Sequence, residues 1–185
     1  MNETRKRLQT CNFEALHRRS VEFHGHSCPG LLIGIKAAMY IMELFQEEFS
    51  MDEDLVCIAE NDACGVDAIQ CILGCSVGKG NLLFRMRGKQ AFSFYSRKTG
   101  KSVRLVLKPM DSTTAKERTD YLSKTSPADL FDIKTALPIP EKAKIFKSVT
   151  CQCCGEQTAE YYTRNENGKI VCMDCFHTYA RFLLD

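Results

Sequence analysis

At 185 residues the chain has room for one ordinary domain and a small appendage. Hydrophobic residues make up 44% and charged residues 26%, which excludes disorder over the whole chain, and a formal charge of +2 gives no electrostatic case for nucleic acid by itself. The N-terminus is locally basic (Arg5, Lys6, Arg7) without the apolar stretch of a signal peptide. The longest apolar run, Leu31 to Phe45, is broken by Lys36 and Glu43 and is shorter than the about 20 residues a bilayer requires. The reading is a cytoplasmic protein with no membrane partner.

Residues 11–23 read as a helix with Phe13, Leu16 and Val21 facing inward. The segment from His24 to Gly30 interrupts it, and Pro29 opens a second helix expected to run to about Phe49. Lys36, Tyr40, Glu43 and Glu47 form one narrow polar stripe on that otherwise apolar cylinder, so the helix belongs in a core or at an oligomer interface. Leu55–Ala59 reads as a short buried strand, and Asn61 or Asp62 as the cap of a helix over about Ala63 to Cys75, ended by Gly74 and Gly78.

Three strand-like runs follow, Leu82–Arg87, Ala91–Arg97 and Ser102–Lys108, expected as an antiparallel meander with Arg104 facing out. Residues 113–123 have helical propensity, and Ser126-Pro127 starts a short helix over 127–133. Leu137-Pro138-Ile139-Pro140 reads as extended linker. The chain therefore reads as an α+β fold, helices packed on an antiparallel sheet. The expected divisions are a core over residues 1–137, a linker over 138–150 and a small four-cysteine zinc-ribbon domain over 151–185. A tail helix over Phe176–Leu184 is expected to pack Tyr179, Phe182 and Leu183 inward.

Eleven cysteines, an odd count in a chain read as cytoplasmic, favour metal ligation or thiol chemistry over a disulfide framework. Cys151-x2-Cys154 and Cys172-x2-Cys175, separated by 17 residues, match the spacing of a four-thiolate zinc site. Zinc takes four ligands in a tetrahedron, and a structural site leaves none open. The segment has few large apolar residues (Tyr161, Tyr162, Ile170, Val171), so the metal would supply most of its folding free energy, on the order of 10 kcal/mol. Cys153 and His177 are alternative ligands in the same stretch. Lys142, Lys144, Lys147, Arg164 and Lys169 are offset by Glu156, Glu160, Glu166 and Asp174, so a protein partner is favoured over nucleic acid.

Soft donors also gather in the N-terminal half. His24, His26 and Cys28 alternate, and in an extended segment alternate side chains point the same way. Imidazole and thiolate suit zinc and other late transition metals. Cys28 and Cys64 both stand at helix starts, where the local positive potential favours a thiolate. Each is thus a candidate ligand or a candidate nucleophile with His24 or His26 as base. Cys64, Cys71 and Cys75 fall within about 20° of one helical face, with Asp67 beside Cys64. Cys57, Cys71 and Cys75 are assigned to the core, where free cysteines pack as small hydrophobes. The run Gly74–Gly80 does not form a phosphate loop, having three residues rather than four before Gly78-Lys79 and Gly80 where Ser or Thr is needed.

Three segments in order, His24-Gly25-His26-Ser27-Cys28-Pro29-Gly30, Asp62-Ala63-Cys64-Gly65-Val66-Asp67-Ala68-Ile69-Gln70 and Gly74-Cys75-Ser76-Val77-Gly78-Lys79-Gly80-Asn81-Leu82, resemble the FmdE family, named for a component of formylmethanofuran dehydrogenase. The resemblance covers about residues 15–135, and the later cysteine pairs resemble the zinc finger that some members append. It implies an α+β core, an intertwined homodimer and a presumed metal or active site at His24, His26, Cys28 and Cys64. Three functions then compete. The first is a metal-binding accessory protein of a molybdenum or tungsten enzyme system, with a structural zinc at Cys151, Cys154, Cys172 and Cys175, a second ion or a pterin-type ligand in the core, and the finger docking a partner. The second is a thiolate-dependent enzyme using Cys28 or Cys64. The third is a transcriptional or metal-sensing regulator that reads its target through the finger.

Overall fold

The structure, a computed structural model, describes residues 13–46, 52–111 and 114–177. The chain divides into two compact units at the Ala143–Lys144 junction. The first unit holds helices α1 (Phe13–His24) and α2 (Pro29–Phe45), strand β1 (Leu55–Ala59) and helix α3 (Gly65–Leu73). Strands β2 (Leu82–Phe84), β3 (Ala91–Ser96) and β4 (Ser102–Leu107) follow, then helices α4 (Ala115–Lys124) and α5 (Pro127–Leu130) and strand β5 (Phe131–Lys134).

The five strands form one sheet in the order β2-β1-β3-β4-β5. All five residues of strand β1 are apolar and buried, so both of its faces have cover. Leu55, Cys57 and Ala59 point to the helices, with Phe92 and Phe94 of β3 and Val103 and Leu105 of β4. Val56 and Ile58 point the other way, with Tyr95. That alternation is the period-two geometry of a strand.

The meander expected from the sequence holds for β3 and β4, which pair antiparallel through Phe92–Leu105 and Phe94–Val103. Strand β2 differs. It lies parallel to β1, with Cys57 opposite Leu82, and β1 pairs antiparallel with β3 instead. The order β1-α3-β2 is a strand–helix–strand crossover, and a helical crossover returns the chain parallel to its first strand. Asn81 fixes this return: it is fully buried, and its Nδ2 donates to Leu55 O at 2.9 Å while its Oδ1 accepts from Ser76 N at 2.9 Å. The short helix expected over 127–133 also divides. It stops at Leu130, and Phe131–Lys134 pairs antiparallel with β4 as an edge strand.

Helix α2 starts at Cys28, whose Sγ accepts from Leu31 N at 3.4 Å, with Pro29 in the first turn. It ends at Phe45, because Gln46 turns left-handed (φ 55°); residues 47–49, expected to continue it, lie outside the described residues. Lys36 lies on the narrow polar stripe of this helix. It is buried, and its Nζ donates to Ser123 O (3.1 Å) and Thr125 O (2.8 Å) at the C-terminal end of α4, where helix carbonyls lack partners of their own. The same Nζ stands 4.7 Å from the centre of the Phe13 ring. Burial lowers the Lys36 pKa. Neighbours within the chain therefore cover α2, and its apolar girth supplies no argument for a dimer.

Arg104 does point to the outer face of the sheet, but it is not free there. Its Nε and Nη2 fork onto Oε1 and Oε2 of Glu60, the second contact at 2.9 Å, and Glu60 is 2% exposed. The segment around Leu137 is extended as expected, and it is tied down across this outer face. Tyr95 Oη donates to Leu137 O, Leu137 N donates to Ser93 Oγ at 3.4 Å, and Arg97 Nη2 donates to Pro140 O at 2.9 Å.

In the second unit, β6 (Ser148–Thr150) pairs antiparallel with β7 (Gln157–Ala159), a 3-10 turn spans Glu160–Tyr162, and β8 (Thr163–Glu166) pairs antiparallel with β9 (Lys169–Cys172). Among the described residues its core is Cys151, Val171 and Cys172, with Cys175 and Phe176 against them, and Tyr161, Tyr162 and Ile170 are exposed. The expected tail helix lies outside the described residues from 178 onward. No helix among the described residues is long and apolar enough to cross a membrane.

Candidate metal centres

The C-terminal centre is built by two tight turns. Gly155, at φ +79°, lets its N–H return to Cys151 O at 2.9 Å, closing the first turn two residues short of β7. Cys175 N and Phe176 N both return to Cys172 O, at 3.1 and 3.0 Å, closing the second turn just after β9. The four sulfurs of Cys151, Cys154, Cys172 and Cys175 then lie within 4.8 Å of one another, and those of Cys154 and Cys172 are 3.9 Å apart. A tetrahedral zinc with bonds near 2.3 Å separates its sulfurs by about 3.8 Å, so the cluster is consistent with a zinc-binding site.

Amide N–H groups point at the sulfur of Cys151, from Cys153 at 3.4 Å and Cys172 at 3.3 Å. Hydrogen bonds from Cys154 and Cys172 amides lead the causes that lower the Cys151 thiol to about 6. Cys175 moves the other way, raised chiefly by its hydrogen bond with Cys172. The two alternative ligands fall away. Cys153 is exposed and outside the four-sulfur group, and His177 pairs with Glu166, Nδ1 to Oε1 at 3.1 Å.

The N-terminal centre lies where α1 ends and α2 begins. His24 is the last residue of α1, Gly25 turns the chain at φ +96°, and Cys28 caps α2. One tight loop thus gathers the ligand atoms of His24, His26 and Cys28 within 4.8 Å of one another. The two imidazole rings are 4.6 Å apart, centre to centre. His24 Nδ1 is 2.6 Å from Asp67 Oδ2 of α3, and His24 Nε2 is buried with no hydrogen-bond partner among the described residues. Ser27, between the ligands, turns instead to His17 Nε2 at 2.8 Å.

Cys64 comes close for a backbone reason. Helices α2 and α3 touch glycine to glycine: a Cβ on Gly34 would lie 2.0 Å from Gly65 O. A Cβ on Gly30 would lie 3.6 Å from Cys64 Sγ and 3.8 Å from Cys28 Sγ. Cys64 is therefore beside Cys28 and hydrogen-bonds to it, yet it is not within 4.8 Å of all three ligands. The expected thiolate at Cys64 also meets opposition. Burial first, and the bond to Cys28 second, raise its pKa, outweighing the backbone contribution that lowers it.

Cys71 and Cys75 do not join this centre. Helix α3 stops at Leu73, with Gly74 left-handed at φ +70°, so Cys75 leaves the common face. The Cys71 thiol donates to Arg19 O and the Cys75 thiol to Leu55 O, each at 3.5 Å. Burial pushes Cys75 up to about 12 and Cys57 well above its ordinary value. All three behave as the core residues the sequence suggests.

Asp67 is the residue that sequence alone leaves undecided between a solvated face and a role at the site. Its one signal there is its place in the first turn of α3, three residues after Cys64.

Comparison with known proteins gives matches over both units. Residues 23–144 match the family described as "FmdE, Molybdenum formylmethanofuran dehydrogenase operon". Residues 144–181 match "Prokaryotic dksA/traR C4-type zinc finger". A protein of Archaeoglobus fulgidus described as "Probable S-adenosyl-L-methionine-binding protein" is 27% identical over 195 residues, 87% of this chain and 52% of that protein. The chain thus spans about half the length of that curated relative. The crystal structure of a tungsten formylmethanofuran dehydrogenase FmdE-like protein from Syntrophus aciditrophicus superposes with a TM-score of 0.70 at 24% identity. The match covers 91% of this chain and 94% of that one, which establishes likeness of fold.

Proposed function

Because the chain belongs to the FmdE family, we propose that it is a metal-binding accessory protein whose first unit holds a divalent ion at His24, His26 and Cys28, with Cys64 beside them, while a zinc at Cys151, Cys154, Cys172 and Cys175 staples a partner-docking finger. The observation that carries this reading is His24 Nε2, a buried polar atom with no partner among the described residues, which shares one small volume with His26 and Cys28. Buried nitrogens are rarely left unsatisfied, and a metal ion satisfies this one.

Two imidazoles and a thiolate prefer zinc, cobalt, nickel or copper over magnesium, calcium or manganese. The description of the family and that of the Syntrophus protein support service to a molybdenum or tungsten enzyme of the formylmethanofuran dehydrogenase type. When bound, the core ion would act as a Lewis acid toward a ligand at a position the protein leaves free. The chain's own part is to bind and orient. The loop of residues 24–28 presents the donors, and the Gly34–Gly65 approach brings α3 and Cys64 up to them.

Elemental analysis of the purified 185-residue chain, beside Cys28→Ser, tests the reading. Two ions per wild-type chain and one in the variant support it. A single ion in both, lost only when the finger cysteines are replaced, would sink it. A second reading takes its ligand from the Archaeoglobus protein, aligned over 87% of this chain. Saturable binding of S-adenosylmethionine in calorimetry would support it, and no heat at millimolar ligand would remove it.

A further inference from the structure

Asp67 donates nothing to the three-residue cluster, yet it grips one of the donors. It sits in the first turn of α3, 43 positions beyond His24, and its Oδ2 is 2.6 Å from His24 Nδ1. Its other oxygen, Oδ1, accepts from Gln70 Nε2 at 3.4 Å, one turn further along the same helix. Both carboxylate oxygens are therefore engaged, one on each side. The helices that carry the two residues are also tied together, since Cys71 of α3 donates to Arg19 O of α1.

An ionised carboxylate only accepts hydrogen bonds, so the proton of a neutral His24 ring sits on Nδ1. Nε2 then presents a lone pair, and it is the atom that is buried without a partner among the described residues. The opposite neutral tautomer would put two acceptors against each other across 2.6 Å. Only the Nδ1–H tautomer satisfies every atom, provided that something accepts the Nε2 lone pair. A metal ion does so. A carboxylate behind a ligating imidazole fixes its ring and tautomer and raises its basicity.

We infer that Asp67 is the positioning residue of the core ion, holding His24 in the Nδ1–H tautomer so that Nε2 is the donor, with Gln70 holding Asp67 in turn. The inference rests on the core-ion reading above. It adds that the strength of the site is set from α3, outside the histidine–cysteine loop.

The test uses the full chain with the finger already loaded with zinc. Cobalt(II) is titrated in against a competing chelator, for wild type, Asp67→Asn, Asp67→Ala and Glu22→Gln, an exposed change on α1. Circular dichroism melting confirms that each variant folds. Loss of the carboxylate weakens cobalt binding by about 10- to 100-fold in Asp67→Ala. Asp67→Asn, which keeps an oxygen for Nδ1–H, falls between it and wild type, and Glu22→Gln is unchanged. Long-range proton–nitrogen spectra of His24 show the Nδ1–H tautomer in wild type and a mixture in Asp67→Ala, a signature that a merely structural role would not move. If wild type binds cobalt and Asp67→Ala matches it in affinity and tautomer, the positioning role is overturned while the core-ion reading stands. If wild type takes no ion beyond the finger, the core-ion reading falls and this role falls with it, whatever the tautomer.

Discussion

The two cysteine-bearing centres are built in opposite ways. The C-terminal one gathers four like sulfurs from two turns within 25 residues, and among the described residues the buried cluster around it is Val171 with Cys151 and Cys172. The N-terminal one gathers unlike donors from a single loop and braces one of them with a carboxylate 43 positions away. It sits on helices that already bury Leu31, Ile35, Ile41 and Ile69 completely. Where the fold is scarce, four closed ligands would supply it. Where the fold exists already, fewer ligands would suffice, and an ion held there as proposed would bind or leave without unfolding.

The largest effect that would sharpen this contrast is loss of the finger metal. Stripping zinc, or replacing Cys172 with Ser, removes on the order of 10 kcal/mol from that unit. Amide resonances of residues 144–177 are expected to collapse to random-coil positions while those of α2 and β3 stay put. Simultaneous collapse of both would break the comparison.

Next comes the glycine contact that places Cys64. In Gly34→Ala the new methyl meets backbone rather than a movable side chain, and overpacking of this kind costs about 1–3 kcal/mol. Calorimetry should show a clear fall in Tm, together with weaker metal retention in the first unit. An unchanged Tm would mean that α2 and α3 are not held at this distance.

The smallest effect is a pH dependence in the first unit that owes nothing to metal. The hydrogen bond from Arg104 holds the Glu60 carboxyl below its ordinary 4.5. As pH falls below about 4.5, the unfolded chain takes up this proton before the folded chain does, so stability present at neutral pH is lost through the acid range. Urea melts from pH 6 to pH 3 should show a shallower acid decline in Glu60→Gln than in wild type. Equal slopes would assign the decline to other carboxylates.

Much of this is legible in sequence because its causes are local. Apolar runs make β1 and β3, Cys28-Pro29 begins α2, and the two CxxC pairs locate the closed centre. What sequence hides depends on distant neighbours. Leu82–Phe84 is as apolar as a meander strand would be, and nothing in those three residues says that Asn81 will tie them parallel to β1. Lys36 reads only as a polar position on an apolar helix because its partners, two carbonyls at the end of α4, are almost ninety residues away. Asp67 stays undecided between a solvated face and the site because the ring it holds belongs to another helix. Cys64 looks like a favoured thiolate because its position in the chain shows neither the burial nor the Cys28 bond that oppose it.

Native mass spectrometry of the whole chain under increasing chelator counts the ions and shows whether each leaves with or without unfolding. Two ions per chain are expected at the start, the first lost with no change in charge-state distribution, and the second lost only as residues 144–177 unfold. A chain that carries one ion, or that sheds two in a single unfolding step, would contradict this expectation.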